Sequence, residues 1–402
     1  MSEWKKVKLG DYIDILSGFA YKSKDFSDSG IPVIKIKNVC PPYISLEDLS
    51  YVPNSIAFQN PRYILKKGDV LIAMTGSHIN QIASVVGRVG RVRYDDVTVL
   101  NQRVGKIVNK DDSLSCLDFI YYYLSQYEVK VELAQKAGGA ANQANISPSD
   151  IKNLMIPCPP LEVQNRIATI LSRYDSLIEN YQKQIKLLEE AAQRLYKEWF
   201  VDLHFPGHEN TKIIDGLPEG WEKKKLMEFT NVIMGQSPKS EYYNNEHKGL
   251  PFHQGVGSYG KRFVEDNTYS TSFTRIAEPN SILFSVRAPV GRLNITKNKI
   301  VIGRGLAAMK HVKDCQSFLF YLLKDRFFKD NIIGNGAIFA SISKDELLNL
   351  QFLIPTNGLV QKYEAMAGNI DHNIMKIDSQ IRLLTEARDR LLPKLMSGDI
   401  EI

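Results

Sequence analysis

The sequence predicts an α+β protein: two similar globular α/β domains separated by two long helices, which pair as an antiparallel intramolecular coiled coil with pseudo-two-fold symmetry. Three observations predict it. Two apolar seams follow a strict seven-residue repeat, one framework occurs twice with a period of about 200 residues, and the stretch between the halves is short.

The first seam is Ile167, Leu171, Tyr174, Ile178, Tyr181, Ile185, Leu188, Ala192, Leu195 and Trp199. Steps of four and three alternate without a break, and charged residues such as Arg173, Lys183 and Glu190 fill the gaps. That is the period of a coiled-coil helix rather than of an ordinary surface helix. About 40 residues rising 1.5 Å each make a rod of roughly 60 Å, whose seam needs a partner. The same chain supplies one: Tyr363, Ala367, Ile370, Ile374, Ile377, Ile381, Leu384, Arg388, Leu391 and Leu395. Tyr363 follows Ile167 by 196 positions, and Leu395 follows Trp199 by 196. Arg388 is the one polar seam position and is expected opposite the Ala192 slot. Pro393 is expected to end or kink the second helix before Leu395. Two unrelated core helices would have no reason to share this register.

The first globular unit is assigned to residues 1–157. Short β-rich runs at Ile31–Val39, Asp69–Met74, Ala83–Val92 and Arg103–Val108 are set apart by Gly, Pro and Asn. A helix is expected over Leu117–Ala134, where Phe119, Ile120, Tyr123, Leu124 and Tyr127 form one stripe. Gly138 opens a polar loop, and Ser147 reads as a helix N-cap. Residues 158–200 carry the first long helix, and 201–216, rich in Pro, Gly and polar residues, a linker. The second unit, 217–355, repeats the first. Trp221-Glu-Lys-Lys-Lys-Leu matches Trp4-Lys-Lys-Val-Lys-Leu, and Asn280–Arg287 matches Gly68–Thr75. Phe318–Phe328 matches the Tyr-rich helix, and Ala340–Leu350 matches Ala144–Leu154. Residues 356–402 hold the second long helix and a tail. With so short a linker, antiparallel rods are expected in preference to parallel ones. Two readers held at a fixed separation suit a split site on duplex DNA.

Composition bounds the chemistry. The 402 residues carry a net charge of +6, an excess compatible with nucleic acid without requiring it. Cys40, Cys116, Cys158 and Cys315 are far apart, with no metal-ligand spacing and no disulfide framework, so a reducing cytoplasm is expected. The first residues hold no apolar signal core, and no run is long enough to span a membrane. Two patterns mislead. Cys40-Pro-Pro-Tyr43 approaches the Asn/Asp-Pro-Pro-Tyr signature of adenine-N6 methyltransferases, but a thiol cannot hold the target amino group as an amide does. Gly255-Val-Gly-Ser-Tyr-Gly260 has the spacing of a dinucleotide loop, yet Lys261-Arg-Phe-Val-Glu-Asp follows instead of an apolar helix, so a mobile surface loop is expected. No Walker loop, zincin motif or nuclease carboxylate cluster is present, and His204 and His208 fall in the linker. Catalytic and metal-binding residues are expected to be absent.

The polar and basic residues at strand ends and loops carry more. In the first unit they are Lys35, Lys37, Asn38, Thr75, Ser77, Asn80, Arg88, Arg91 and Arg93, with Gln143 and Asn145 from the polar loop. In the second they are His253, Gln254, Lys261, Arg262, Arg287, Arg292 and Arg304. Arg suits bidentate contact with guanine, Asn and Gln with adenine, and Lys with phosphate. Any one of them alone is more simply a solvated surface residue; together they are expected to bind DNA.

Several stretches carry a resemblance over both halves: Asn145–Leu171 (Asn-Ile-Ser-Pro-Ser-Asp-Ile-Lys-Asn-Leu and onward), Leu195–His208, Leu217-Pro-Glu-Gly-Trp221 and Asp69–Ser77. In them the chain resembles the specificity (S) subunit of type I restriction–modification enzymes. The second half departs where Pro159-Pro-Leu-Glu-Val-Gln164 becomes Pro355-Thr-Asn-Gly-Leu-Val-Gln361, which speaks against a strictly symmetric contact at the start of the second rod. The resemblance implies that each globular unit is a target recognition domain for one half of a bipartite site, and that the rods set the spacer. It also implies docking of two modification subunits that bind S-adenosylmethionine and methylate adenine, with restriction subunits using ATP and Mg joining them. That chemistry would lie in the partners, not in this chain. Two other classes remain: a coiled-coil scaffold, which predicts no sequence-selective DNA binding, and a self-contained DNA methyltransferase or nuclease, which predicts S-adenosylmethionine on the isolated chain.

Overall fold

The computed structural model describes residues 4–77, 85–138, 144–328 and 341–400. The chain divides into two compact units, Met1–Asn180 with Ile381–Ile402, and Tyr181–Gln380. The long helices run Leu161–Phe200 and Asn357–Ser397, so each contributes a segment to both units.

In the first unit a six-stranded sheet is ordered Ile13–Ser17, Val104–Asn109, Val70–Ala73, Val89–Arg91, Tyr43–Ile44, Val39–Cys40. A four-stranded sheet is ordered Ser50–Val52, Ile31–Ile34, Thr98–Leu100, Ile64–Leu65. Val70–Ala73 is buried at every position, as a strand covered on both faces must be. Lys6–Lys8 closes against Met155–Pro157. The second unit builds the same plan. Thr230–Met234, Leu306–His311, Ile282–Ser285 and Leu293–Ile295 make one sheet; Tyr243–Asn244, Tyr269–Ser270, Leu250–His253, Ile300–Ile302 and Ile276–Ala277 make the other. Glu222–Lys225 closes against Gln351–Ile354. A parallel pairing recurs as well: Val99 opposite Val33 in the first unit, Val301 opposite Phe252 in the second.

The helix seams bury as their period requires. In the first unit Ile167 and Leu171 enter one core with Leu395 and Met396. In the second Ala192 and Trp199 enter one core with Tyr363, Ala367 and Ile374. The start of the first helix therefore lies with the end of the second, and its end with the start of the second: the pairing is antiparallel. Ile178 is also buried, while Tyr174, Tyr181, Ile185, Leu188, Leu195, Ile370, Ile377, Ile381, Leu384 and Leu391 are half-buried.

A Tyr–Asp–Arg set ties the short helix of each unit to the long helices. Tyr122 Oη donates to Asp175 Oδ2 at 2.7 Å, and Arg388 Nη1 donates to Asp175 Oδ1 at 2.7 Å. In the second unit Tyr321 Oη donates to Asp371 Oδ1 at 3.0 Å, and Arg262 Nη2 donates to the same oxygen at 2.6 Å. Asp371 follows Asp175 by the same 196 positions as the seams. The arginine does not repeat: it comes from the second long helix in one unit and from the globular part in the other.

Four expectations are corrected. Arg388 does not face the Ala192 slot; it reaches Asp175, while the Ala192 carbonyl accepts a hydrogen bond from Tyr363 at 3.2 Å. Antiparallel pairing reverses the order that equal sequence spacing suggests. Pro393 does not end its helix, which continues to Ser397 with Leu395 buried, so core packing overrides the lost hydrogen bond. The helix expected over Leu117–Ala134 is two, Leu117–Leu124 and Tyr127–Gln135. Ser125 Oγ donates to the Tyr121 carbonyl, and extended Gln126 restarts the chain. Residues 201–216 are in part folded: Phe205 is buried against Trp221, and Ile213–Ile214 pairs with Leu217–Pro218.

The start of the second long helix differs as the sequence indicated. Gln164 Oε1 accepts from the Cys116 N–H at 2.9 Å, at the N-terminus of the short helix. In the second unit Glu364 takes that task, accepting from the N–H groups of Ser317 and Phe318. Burial pushes the Glu364 carboxyl up, and these N–H groups oppose the rise.

Candidate nucleic-acid interface

The strand Val70–Ala73 ends at Met74 and Thr75, beside the turn that enters Val104–Asn109. Three backbone hydrogen bonds shape this edge. Met74 N–H donates to the Arg103 carbonyl at 3.0 Å, Ile146 N–H to the Met74 carbonyl at 2.9 Å, and Val104 N–H to the Asn101 carbonyl at 2.9 Å. They leave an open cleft of ≈ 610 Å³ whose polar lining includes Ser17, Thr75, Gln102, Arg103, Asn145 and Asp150. Thr75 Oγ1 donates to Asn145 Oδ1 at 2.8 Å, which orients the amide with its oxygen inward. Gln102 and Arg103 are exposed, and neither side chain is held by a carboxylate among the described residues.

The second unit repeats the edge. Val286 N–H donates to the Gly305 carbonyl at 2.9 Å, Ile342 N–H to the Val286 carbonyl at 3.0 Å, and Leu306 N–H to the Gly303 carbonyl at 3.0 Å. The cleft here is ≈ 260 Å³, lined by Gln254, Ser285, Arg287, Arg304 and Gly305 among others. Gln254, Arg287 and Arg304 are exposed. A further hollow of ≈ 440 Å³ is lined by Lys261, Arg292, Lys324, Tyr259 and Glu189. Burial holds the Lys324 ammonium below the usual lysine range.

The sequence-derived candidates therefore separate. Lines of approach from solvent exist for Gln254, Lys261, Arg287 and Arg304, and in part for Ser77, Arg88, Arg93, Asn145 and Arg292. Arg93 lies 3.7 Å from Glu179. Others are turned into the fold and are corrected as reading residues. Asn38 is 1% exposed, donates to the Glu47 carbonyl and accepts from the Lys35 N–H, so it shapes a turn. Arg91 is 6% exposed, donates to Asp118 at 2.7 Å and stacks over Tyr121. His253 is 1% exposed, with Nε2 2.9 Å from Asp266 and Nδ1 2.8 Å from Ser258. Arg262 is 5% exposed and bridges Asp371 and Glu189. Thr75 is buried and acts on Asn145. Lys35 is half-buried, donates to Ser50 and packs over Phe26, and burial lowers its pKa. Lys37 is not turned in: it is exposed and pairs with Asp48 at the surface. Asn80 and Gln143 lie outside the described residues. Gln102 and Arg103 were missed; the signal for them is their place directly before a strand, opposite Arg304 and Gly305 of the repeat.

Among the described residues no group of three or more His, Cys, Asp or Glu side chains could hold a metal, and no helix is long and apolar enough to cross a membrane. The loop Gly255–Gly260 holds a short 3-10 turn, Val256–Ser258.

The fold and its clefts define a class: a duplicated α+β recognition protein that presents two differently lined polar clefts on one repeated frame. Comparison with known proteins agrees. The family model described as the type I restriction modification DNA specificity domain matches residues 1–190 and again 218–365. The chain is 30% identical to the putative type I restriction enzyme MjaX specificity subunit of Methanocaldococcus jannaschii, over all of this chain and 94% of that one. It is 20% identical to the HindI specificity subunit of Haemophilus influenzae, covering both chains in full. Among solved structures it resembles a type I restriction-modification S subunit from M. genitalium, with a TM-score of 0.62, 18% identity, and 98% and 96% of the two chains covered. That likeness bears on the fold alone. This chain belongs to the type I restriction–modification DNA specificity family.

Proposed function

We propose that the chain is the DNA sequence-specificity subunit of a type I restriction–modification enzyme, and that each unit is a target recognition domain for one half of a bipartite site. The observation that carries this reading is the cleft that recurs at one backbone position of both units with different polar side chains. A protein that reads two unlike half-sites needs one frame and two linings, whereas a scaffold has no use for the divergence. In this reading exposed Gln254, Arg287 and Arg304, with Asn145 in the first unit, face base edges, and Lys261, Arg292, Arg88 and Arg93 serve phosphates. The long helices set the spacer and dock two modification subunits, which supply adenine methylation; restriction subunits join that complex as separate chains. The role is recognition, and the chemistry belongs to the partners.

The test is a genome-wide map of N6-methyladenine in a host expressing this chain with its modification subunit, against the same host without the chain. A split motif that depends on the chain is expected. No motif, with both proteins folded and associated, would contradict the reading and leave the scaffold.

A further inference from the structure

We propose that three paired positions determine which bases the two units read: Thr75 with Arg287, Gln102 with Arg304, and Arg103 with Gly305. This rests on the specificity reading above and names the residues that execute it.

The pairing comes from backbone geometry. Gly18 N–H donates to the Val104 carbonyl at 3.2 Å and Gly235 N–H to the Leu306 carbonyl at 2.8 Å. Asn101 N–H donates to the Ile34 carbonyl at 3.1 Å and Gly303 N–H to the His253 carbonyl at 2.8 Å. With the three bonds already given for each cleft edge, these place Gln102 on Arg304, Arg103 on Gly305 and Thr75 on Arg287. Two buried positions that flank the turn keep their character: Leu100 answers Ile302, Val104 answers Leu306, and all four are fully buried. Between them, the positions that open into the cleft change chemistry.

The exchanged groups differ in what they recognise. The first cleft offers the Gln102 amide, the Arg103 guanidinium, and the Asn145 amide that Thr75 fixes. The second offers two guanidinium groups, Arg287 and Arg304, where the first has Thr75 and Gln102. No carboxylate holds either one among the described residues, so their donors are available to a ligand. Arginine matches the O6 and N7 acceptors of guanine, and glutamine or asparagine the N6 and N7 edge of adenine. The second unit is therefore assigned the more guanine-rich half-site, and the first the half-site richer in adenine. At Gly305 the chain closes on itself: an added Cβ would lie 2.5 Å from the Gln254 carbonyl, so this position carries no side chain where the first unit carries Arg103.

The experiment maps N6-methyladenine for the intact chain with its modification subunit and for a set of point variants. In Arg304→Gln and Arg287→Thr, which carry first-unit residues into the second cleft, the second half-site should relax or change. Methylation of the original motif should fall about tenfold or more, while the first half-site and the spacer persist. In Gln102→Ala the first half-site should change and the second persist. Copurification of each variant with the modification subunit, and an unaltered untouched half-site, show that the variant folds. Arg304→Lys keeps the charge and should still lose base selectivity if the fork geometry reads the base. If the wild-type chain yields a split motif and every variant keeps both half-sites, the assignment is overturned while the specificity reading stands. If both half-sites change together, the clefts act through the fold and the assignment is likewise overturned. If the wild-type chain yields no split motif, the specificity reading itself has failed.

Discussion

Asp175 is 1% exposed at its side chain, and Tyr122 and Arg388 hold its two oxygens. Removing Arg388 leaves a buried carboxylate without a counter-charge, so Arg388→Ala should destabilise the first unit by about 3–5 kcal/mol. Urea unfolding of the variant checks this, and a loss under about 1 kcal/mol would show that water reaches Asp175. His311 gives a pH dependence. Burial lowers its pKa from the ordinary value of 6.5, and its Nδ1 accepts the Lys313 N–H, which requires the neutral ring. The unfolded chain then takes the proton more readily than the folded one. Stability from this residue is full above about pH 6.5 and falls as the pH drops below it, by at most about 1.4 kcal/mol per pH unit. His311→Gln should flatten that slope between about pH 7 and pH 5. At this scale the sequence was least legible. Whether an arginine faces solvent depends on a carboxylate far along the chain: Asp371 lies 109 residues from Arg262, and Asp118 lies 27 from Arg91. Nothing local marks Arg304 as open and Arg262 as closed, although both are arginines at strand ends.

The helices were legible at the scale of elements because a seven-residue apolar period has few other solutions. Strands flanked by Gly and Asn were legible for the same local reason, and the Ser147 cap is present, accepting the Asp150 N–H at 3.2 Å. One misread feature was set by tertiary contact: Pro393 is carried through its helix by the burial of Leu395 and Met396. The break at Ser125 is local instead: its hydroxyl donates to the Tyr121 carbonyl one turn back, before extended Gln126. Seam positions differ in tolerance. Ala192 is fully buried, and its carbonyl receives Tyr363. Ala192→Leu should overpack this contact and destabilise the second unit by about 1–3 kcal/mol. Leu187→Ala, at a position on the same helix that is 64% exposed, should change stability by no more than about 0.5 kcal/mol. Thermal unfolding of the pair decides whether the seam or general apolarity holds the helix.

At the scale of the whole molecule the account makes the helix pair a ruler between two readers. The repeat of fold, cleft and Asp–Tyr anchor with one offset of 196 residues between the helix positions ties the readers to equivalent points on the helices. Seven residues rise about 10.5 Å, close to three base pairs of duplex at about 3.4 Å each. The direct measurement is the methylation motif of a variant lacking one heptad between Ile178 and Leu188 and one between Ile374 and Leu384. The account predicts both half-sites intact and a spacer shortened by about three base pairs. An unchanged spacer, with both half-sites still read, would contradict it.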